Sequence, residues 1–212
     1  MHRTAKSSNV PISVSSYFKS TEAKSLPVKN NEKIPKGILS TENMLLYSLK
    51  RDSYIGFCGY LWNKLFRADL FQNKSILFDE TVSFGEDALF FTRIMLQNNC
   101  TGVFIDKPLY HYSIVDSSLS NSDPLNNRES VFKVYSEIIN LLDESNYKNI
   151  SIWAKRFYCY FAGMYADIAR KNGNNDVLSI MQEEIKLYLS EYVQTNQDFP
   201  DRLEWINSFI GN

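Results

Sequence analysis

A Ser-, Asp- and Asn-rich stretch over 113–123 divides the sequence into halves whose apolar residues follow different periods. A chain whose hydrophobic period changes in this way has to build two kinds of packing. Before the stretch, Val10 to Phe18 alternate apolar and polar residues with β-branched members, which predicts a strand with Pro11 at its start or on an edge. Residues 1–9 read as polar and loose, and 19–36 as a loop or weak hairpin. Ser40 or Thr41 caps a helix through about Lys50. Residues 54–61 are apolar with Gly56 and Gly59 inside, which predicts a strand or a turn with a close backbone approach. Residues 62–71 read as the end of that strand and a short helix. Glu86 or Asp87 then opens a helix to about Asn98, with Leu89, Phe90, Ile94 and Met95 at helical spacing and acidic charge at the favourable end of the helix dipole. Val103 to Ile105 read as a short buried strand, and Tyr110-His111-Tyr112 as extended chain after Pro108.

Beyond the stretch the period is helical. Asp123-Pro124 is a cap and first-position pair. Val131, Val134, Ile138 and Leu141 mark one helix; Trp153, Phe157, Tyr160, Phe161, Met164 and Ile168 mark a second. Val177, Ile180, Met181, Tyr188 and Tyr192 mark a third, and residues 200–210 a short fourth. The fold class is therefore α/β: a mixed sheet with flanking helices over 1–122, then a helical region over 123–212.

Several function classes are excluded. Lys and Arg number 23 against 24 Asp and Glu, for a net charge of -1, so the basic excess of a phosphate-neutralising nucleic-acid binder is missing. No apolar run approaches the roughly 20 residues that span a bilayer. The polar start, Met1 to Lys6, has no apolar core of a secretory signal. Cys58, Cys100 and Cys159 form no Cys-x-x-Cys and read as core thiols of a cytoplasmic protein. No His-x-x-x-His, Gly-x-Gly-x-x-Gly or phosphate-loop pattern occurs.

One ordered set of short elements is more specific. Trp62-Asn63-Lys64-Leu65-Phe66-Arg67 is followed by Phe78-Asp79-Glu80, Gly85-Glu86-Asp87-Ala88-Leu89-Phe90, Pro108-Leu109-Tyr110-His111-Tyr112 and Ser117-Ser118. Together they resemble the second half of family 2 glycosyltransferases of the GT-A fold, especially bacterial enzymes that build cell-surface polysaccharide. The resemblance covers about residues 8–120. It implies a partial GT-A-like sheet, the acceptor-side half of the domain, over 1–122.

It also implies roles. Asp87, with Glu86 beside it, would be the catalytic base that deprotonates an acceptor hydroxyl, in an inverting transfer from a nucleotide-sugar donor to a glycan or lipid-linked acceptor. The plainer alternative is a carboxylate pair that only starts a helix. Trp62 and Lys64 match the acceptor-side element, as a stacking face and a hydrogen-bond donor; core packing and a solvated charge are the alternatives. His111 stands where relatives touch the metal or the diphosphate, and its alternative is packing between Tyr110 and Tyr112. Ser113 stands where many relatives have Arg. The family's Mn²⁺ or Mg²⁺ is held by an Asp-x-Asp element, which this sequence lacks. The expectation is thus a fragment or degenerate relative without its donor site and with an incomplete metal site. A non-catalytic glycan-binding or interaction module is the competing reading. Peripheral membrane contact through Trp153 to Tyr158 and self-association through exposed strand edges are further expectations.

Overall fold

The computed structural model describes residues 1–72, 76–114 and 128–210. Two readings, Ser117-Ser118 and the Asp123-Pro124 cap, lie outside these residues. The chain forms two compact units, Met1–Glu80 with Glu86–Asn121, and Thr81–Gly85 with Ser122–Asn212.

The first unit is built on a five-stranded mixed sheet. Strand β1 (Ile12–Ser20) is its centre. Strand β5 (Gly102–Ser113) runs parallel along one edge of β1 from Ile12↔Gly102 to Ser20↔Ser113. The other edge is shared. Strand β4 (Lys64–Phe66) pairs antiparallel with Ile12 to Val14, and β2 (Ser25–Pro27) pairs antiparallel with Phe18 to Ser20. Between them the Ser15 N–H donates to Asn63 O and the Val28 N–H to Tyr17 O, so β1 stays bonded along its length. Strand β3 (Ile38–Leu39) closes the far side of β5.

A central strand is buried on both faces, and β1 is buried without a break from Ile12 to Tyr17. Its alternation in sequence therefore does not mark an exposed face. Small serines make room for neighbouring layers instead, and the Ser13 and Ser15 hydroxyls are buried with no hydrogen-bond partner. Ser16 Oγ donates to Val28 O.

The register of β1 on β5 shifts at two successive steps. Ser15 faces Ile105, Ser16 faces Pro108 and Tyr17 faces Tyr110, so β5 carries extra residues there. Pro108 has no N–H to give to the ladder, and a bulge is where a strand tolerates it. The two short extended segments read around Pro108 are thus one bulged strand.

Helix α1 (His2–Ser7) occupies the segment read as loose, with Ser8 as its C-cap and Asn9 beyond it at a φ of 49°. Helix α2 (Thr41–Leu49) starts at Ser40, whose side chain accepts the Asn43 N–H at 3.2 Å. It buries Met44, Leu45 and Leu49, each of which adds about 1.5–3 kcal/mol through removal from water. Residues 54–61 form turns rather than a strand, and both glycines mark close approaches. A Cβ on Gly56 would sit 2.9 Å from Ser16 Oγ, and one on Gly59 would sit 3.3 Å from Ala88 Cβ. Helix α3 (Glu86–Asn98) buries Leu89, Phe90, Phe91, Thr92, Ile94 and Met95.

The second unit is helical: α4 (Arg128–Asp143), α5 (Ser151–Lys171), α6 (Asn175–Leu187), α7 (Leu189–Thr195) and α8 (Pro200–Asn207). The 21-residue α5 is its axis, with α4, α6 and α7 packed on it. The third helix of the sequence reading breaks into α6 and α7 at Tyr188, whose φ of -132° is outside the helical range. The cations of the Trp153–Tyr158 segment are engaged inside this unit. Arg156 is buried and donates to Asn196 Oδ1 at 2.9 Å, and Lys155 lies 3.1 Å from Asp143 Oδ2. Among the described residues no helix is long and apolar enough to cross a membrane.

Candidate active site

The site is assembled from a loop, a helix start and the bulged strand, all in the first unit. The loop runs from Gly56 to Asn63 and is folded around two inward-pointing side chains. Asn63, fully buried, donates through Nδ2 to Ser15 O, Gly56 O and Phe57 O at 3.1, 3.1 and 3.2 Å. Lys64 is 8% exposed, and its ammonium lies within hydrogen-bond distance of Phe57 O (3.0 Å), Cys58 O (2.6 Å), Tyr60 O and Asn63 Oδ1 (3.0 Å). The rings of Phe57 and Phe91 lie 5.2 and 5.0 Å from the same nitrogen. Burial pulls the Lys64 pKa down to about 7, against the opposing pull of Cys58 and Asp87.

Asp87 sits in the first turn of α3, half-buried, and its Oδ2 accepts the Leu61 N–H at 3.2 Å. Burial raises its pKa above the usual carboxylate range. The Leu61 N–H opposes that rise, the neighbouring Glu86 charge adds to it, and the Lys64 charge opposes it. A carboxylate so placed binds a proton more readily than one in water, the direction that favours a general base. Glu86 is also half-buried and acts on Asp87 through its charge.

Trp62 belongs to an aromatic cluster that the sequence reading did not assemble. Tyr60, Tyr110 and Tyr112 stack on it at centroid distances of 5.0, 4.8 and 5.1 Å, and Tyr17 meets it edge-on at 4.7 Å. Arg51 donates to the Tyr60 hydroxyl at 3.0 Å. Tyr110 and Tyr112 are two apart on β5 and so share a face, and that signal was present in the sequence. Tyr17 joins them because it is the register partner of Tyr110, which only the sheet reveals. Trp62 thus spends its ring faces largely on tyrosines, and Tyr110, 40% exposed, carries the accessible aromatic surface.

The five residues singled out from sequence are not gathered at one point. Asp87 meets the loop through Leu61, Glu86 precedes Asp87 at the start of α3, and Trp62 follows Leu61 directly. Lys64 points inward, its donors committed to the loop. His111 pairs in register with Phe18 and stacks on it at 4.6 Å, so it stands on the sheet face opposite Tyr110 and Tyr112. Its Nδ1 lies 3.1 Å from Ser20 Oγ and 3.2 Å from Ser25 Oγ, which pins the β1–β2 hairpin to β5. Among the described residues there is no group of three His, Cys, Asp or Glu side chains able to hold a metal ion. The donor set around His111 is two hydroxyls, which does not fit Mn²⁺ or Mg²⁺.

The fold that carries this loop, helix start and bulged strand is mixed α/β: a partial GT-A-like sheet with flanking helices, followed by a helical C-terminal region. No family model matches the sequence, and no curated protein matches it. Among solved structures, the chain is similar to S. aureus TarS 1–349 in complex with UDP-GlcNAc, with a TM-score of 0.53 and 14% sequence identity. The match covers 99% of this chain and 58% of that one, so the chain spans a little over half the length of its structural neighbour.

Proposed function

We propose that this chain serves glycosyl transfer as the acceptor-side part of an inverting, family 2-type glycosyltransferase. The observation that carries the proposal is Asp87: a half-buried carboxylate in the first turn of α3, held by one backbone N–H, with raised proton affinity. In the proposed reaction an acceptor hydroxyl attacks the anomeric carbon of a nucleotide sugar. Asp87 takes the hydroxyl proton, the new C–O bond forms, and the bond to the nucleoside diphosphate breaks with its electron pair leaving on the diphosphate. Attack opposite the leaving group inverts the anomeric centre. Burial keeps the Asp87 proton affinity high, and the Glu86 charge adds to it. The fold likeness to a structure holding UDP-GlcNAc supports a nucleotide-sugar donor, and Tyr110 beside Trp62 supplies an aromatic surface for the apolar face of a pyranose in a glycan or lipid-linked acceptor.

The test is release of UDP from UDP-GlcNAc with a panel of glycan acceptors. Asp87→Asn should lower turnover by about 10²–10⁴-fold while glycan binding persists. Equal turnover by the variant would remove the base. Isothermal titration with UDP-GlcNAc measures how much donor binding these 212 residues hold, and low-micromolar affinity would overturn the acceptor-side part of the proposal. A second reading, a glycan-binding module without chemistry, is favoured by the stacked cluster of Trp62 with three tyrosines. Glycan binding with no UDP release from the wild type, at UDP-GlcNAc concentrations that the titration shows to be saturating, would select it.

A further inference from the structure

The buried ammonium of Lys64 is the least expected feature of the first unit. A lysine taken out of water costs several kcal/mol unless its donors are satisfied. Here four oxygens surround it, and three of them are carbonyls of the loop at residues 57, 58 and 60. Three carbonyls within four residues converge on its donors, and its positive charge offsets the mutual repulsion of their oxygens. The next backbone N–H along that loop, at Leu61, donates to Asp87 Oδ2. Gly59, inside the same turn, lies close against Ala88, the neighbour of Asp87: a Cβ there would sit 3.3 Å from Ala88 Cβ. The loop thus has an ammonium at its centre and the carboxylate on its outside.

We propose that Lys64 is a positioning residue for Asp87: its ammonium gathers the Phe57, Cys58 and Tyr60 carbonyls, fixes the Leu61 N–H, and so holds the carboxylate in place. This rests on the reading of Asp87 as the base, but the clamp is a statement about geometry and is measured without turnover. Two effects reach Asp87 from Lys64, one through the Leu61 hydrogen bond and one through charge. The charged and titratable groups that act on Asp87 are Glu86 and Lys64, and those that act on Lys64 are Cys58 and Asp87. Glu86 opposes the effect of Lys64 on the carboxylate. Cys58, buried, has its thiol pKa pushed up and stays neutral at working pH.

The experiment is carbon-detected NMR of the Asp87 carboxyl, with hydrogen exchange at the Leu61 amide, in the wild type and in Lys64→Met. Met keeps the length and removes the charge and donors. Loss of the clamp should make Asp87 about tenfold less acidic and should speed Leu61 exchange at least tenfold, while exchange in α5 is unchanged. If Lys64→Met does not fold, the wild type decides. As pH rises through the titration of the Lys64 side chain, read from its own Cε signal, the Leu61 amide should lose protection and the Asp87 carboxyl signal should move with the same midpoint. An Asp87 titration and a Leu61 exchange rate that ignore the Lys64 charge in whichever of these is measured would overturn the proposal. A failed transfer assay would leave this result standing, and the reverse holds too.

Discussion

At the residue scale, the site exchanges stability for reactivity. Asp87 is more easily protonated in the folded chain than in the unfolded one, because burial disfavours its charge. The stability it contributes is present below the unfolded carboxyl pKa and is lost as pH rises through the folded one. Asp87→Asn should therefore raise Tm at pH 7, by about 2–4 °C for each kcal/mol relieved, and the gain should shrink towards pH 4. Scanning calorimetry at the two pH values measures it. Glu32 behaves in the opposite sense. Hydrogen bonds from Lys50, Ser53 and Tyr54 hold its pKa down to about 2, from an ordinary 4.5. Its contribution is present above pH 4.5 and is lost as pH falls towards 2. Glu32→Gln should cost about 1 kcal/mol at pH 7 and nothing near pH 2, as read by urea unfolding; the carboxylate is partly exposed, so the cost is modest.

At the element scale, caps and close approaches decide where helices and strands sit. Ser40→Ala removes the one side-chain cap of α2 and should cost about 1 kcal/mol. Gly102 opens β5 beneath α2. A Cβ there would lie 2.5 Å from Met44 Cε and 3.2 Å from Ile12 O. Gly102→Ala should destabilise the first unit by about 1–3 kcal/mol, and the double variant with Met44→Ala should lose less than the sum of the two single losses if the methionine is the obstacle. Denaturant midpoints for the three variants test it. The bulge at Pro108 belongs to this scale as well. It sets the phase of β5 so that Tyr110 faces the same side as Tyr17, while His111 faces the other.

At the scale of the whole molecule, two units share one chain and each carries buried cysteine. Cys58 and Cys100 lie in the first unit and Cys159 in the second, all free and buried. Burial raises each thiol pKa, to about 11 for Cys100 and about 12 for Cys159, which suppresses the reactive thiolate. A disulfide-exchange reagent should titrate none of the three in the native protein and all three in guanidinium. The order in which they appear along a denaturant series reports whether the units unfold together, since cooperativity across units is not guaranteed by one chain. Prompt labelling of Cys159 alone at low denaturant would identify the helical unit as the weaker.

The sequence by itself determined most of the elements, because capping and hydrophobic period act within a few residues. Ser40 begins α2, Glu86 begins α3, and the helical period after residue 128 reports a helical unit. It also placed Asp87 at a helix start, while the role of base came from the family resemblance. Only the tertiary structure decided what the neighbours of those residues are. The sign of the charge at Lys64 is written in the sequence, but its inward direction depends on a loop that meets Ser16 of β1 at Gly56 and Asp87 of α3 at Leu61. Likewise Tyr110-His111-Tyr112 is one short string, yet the sheet sends its tyrosines to Trp62 and its histidine to two serines. Strand alternation separates adjacent side chains, while pairing across long loops chooses their company, and no local pattern contains that second piece of information.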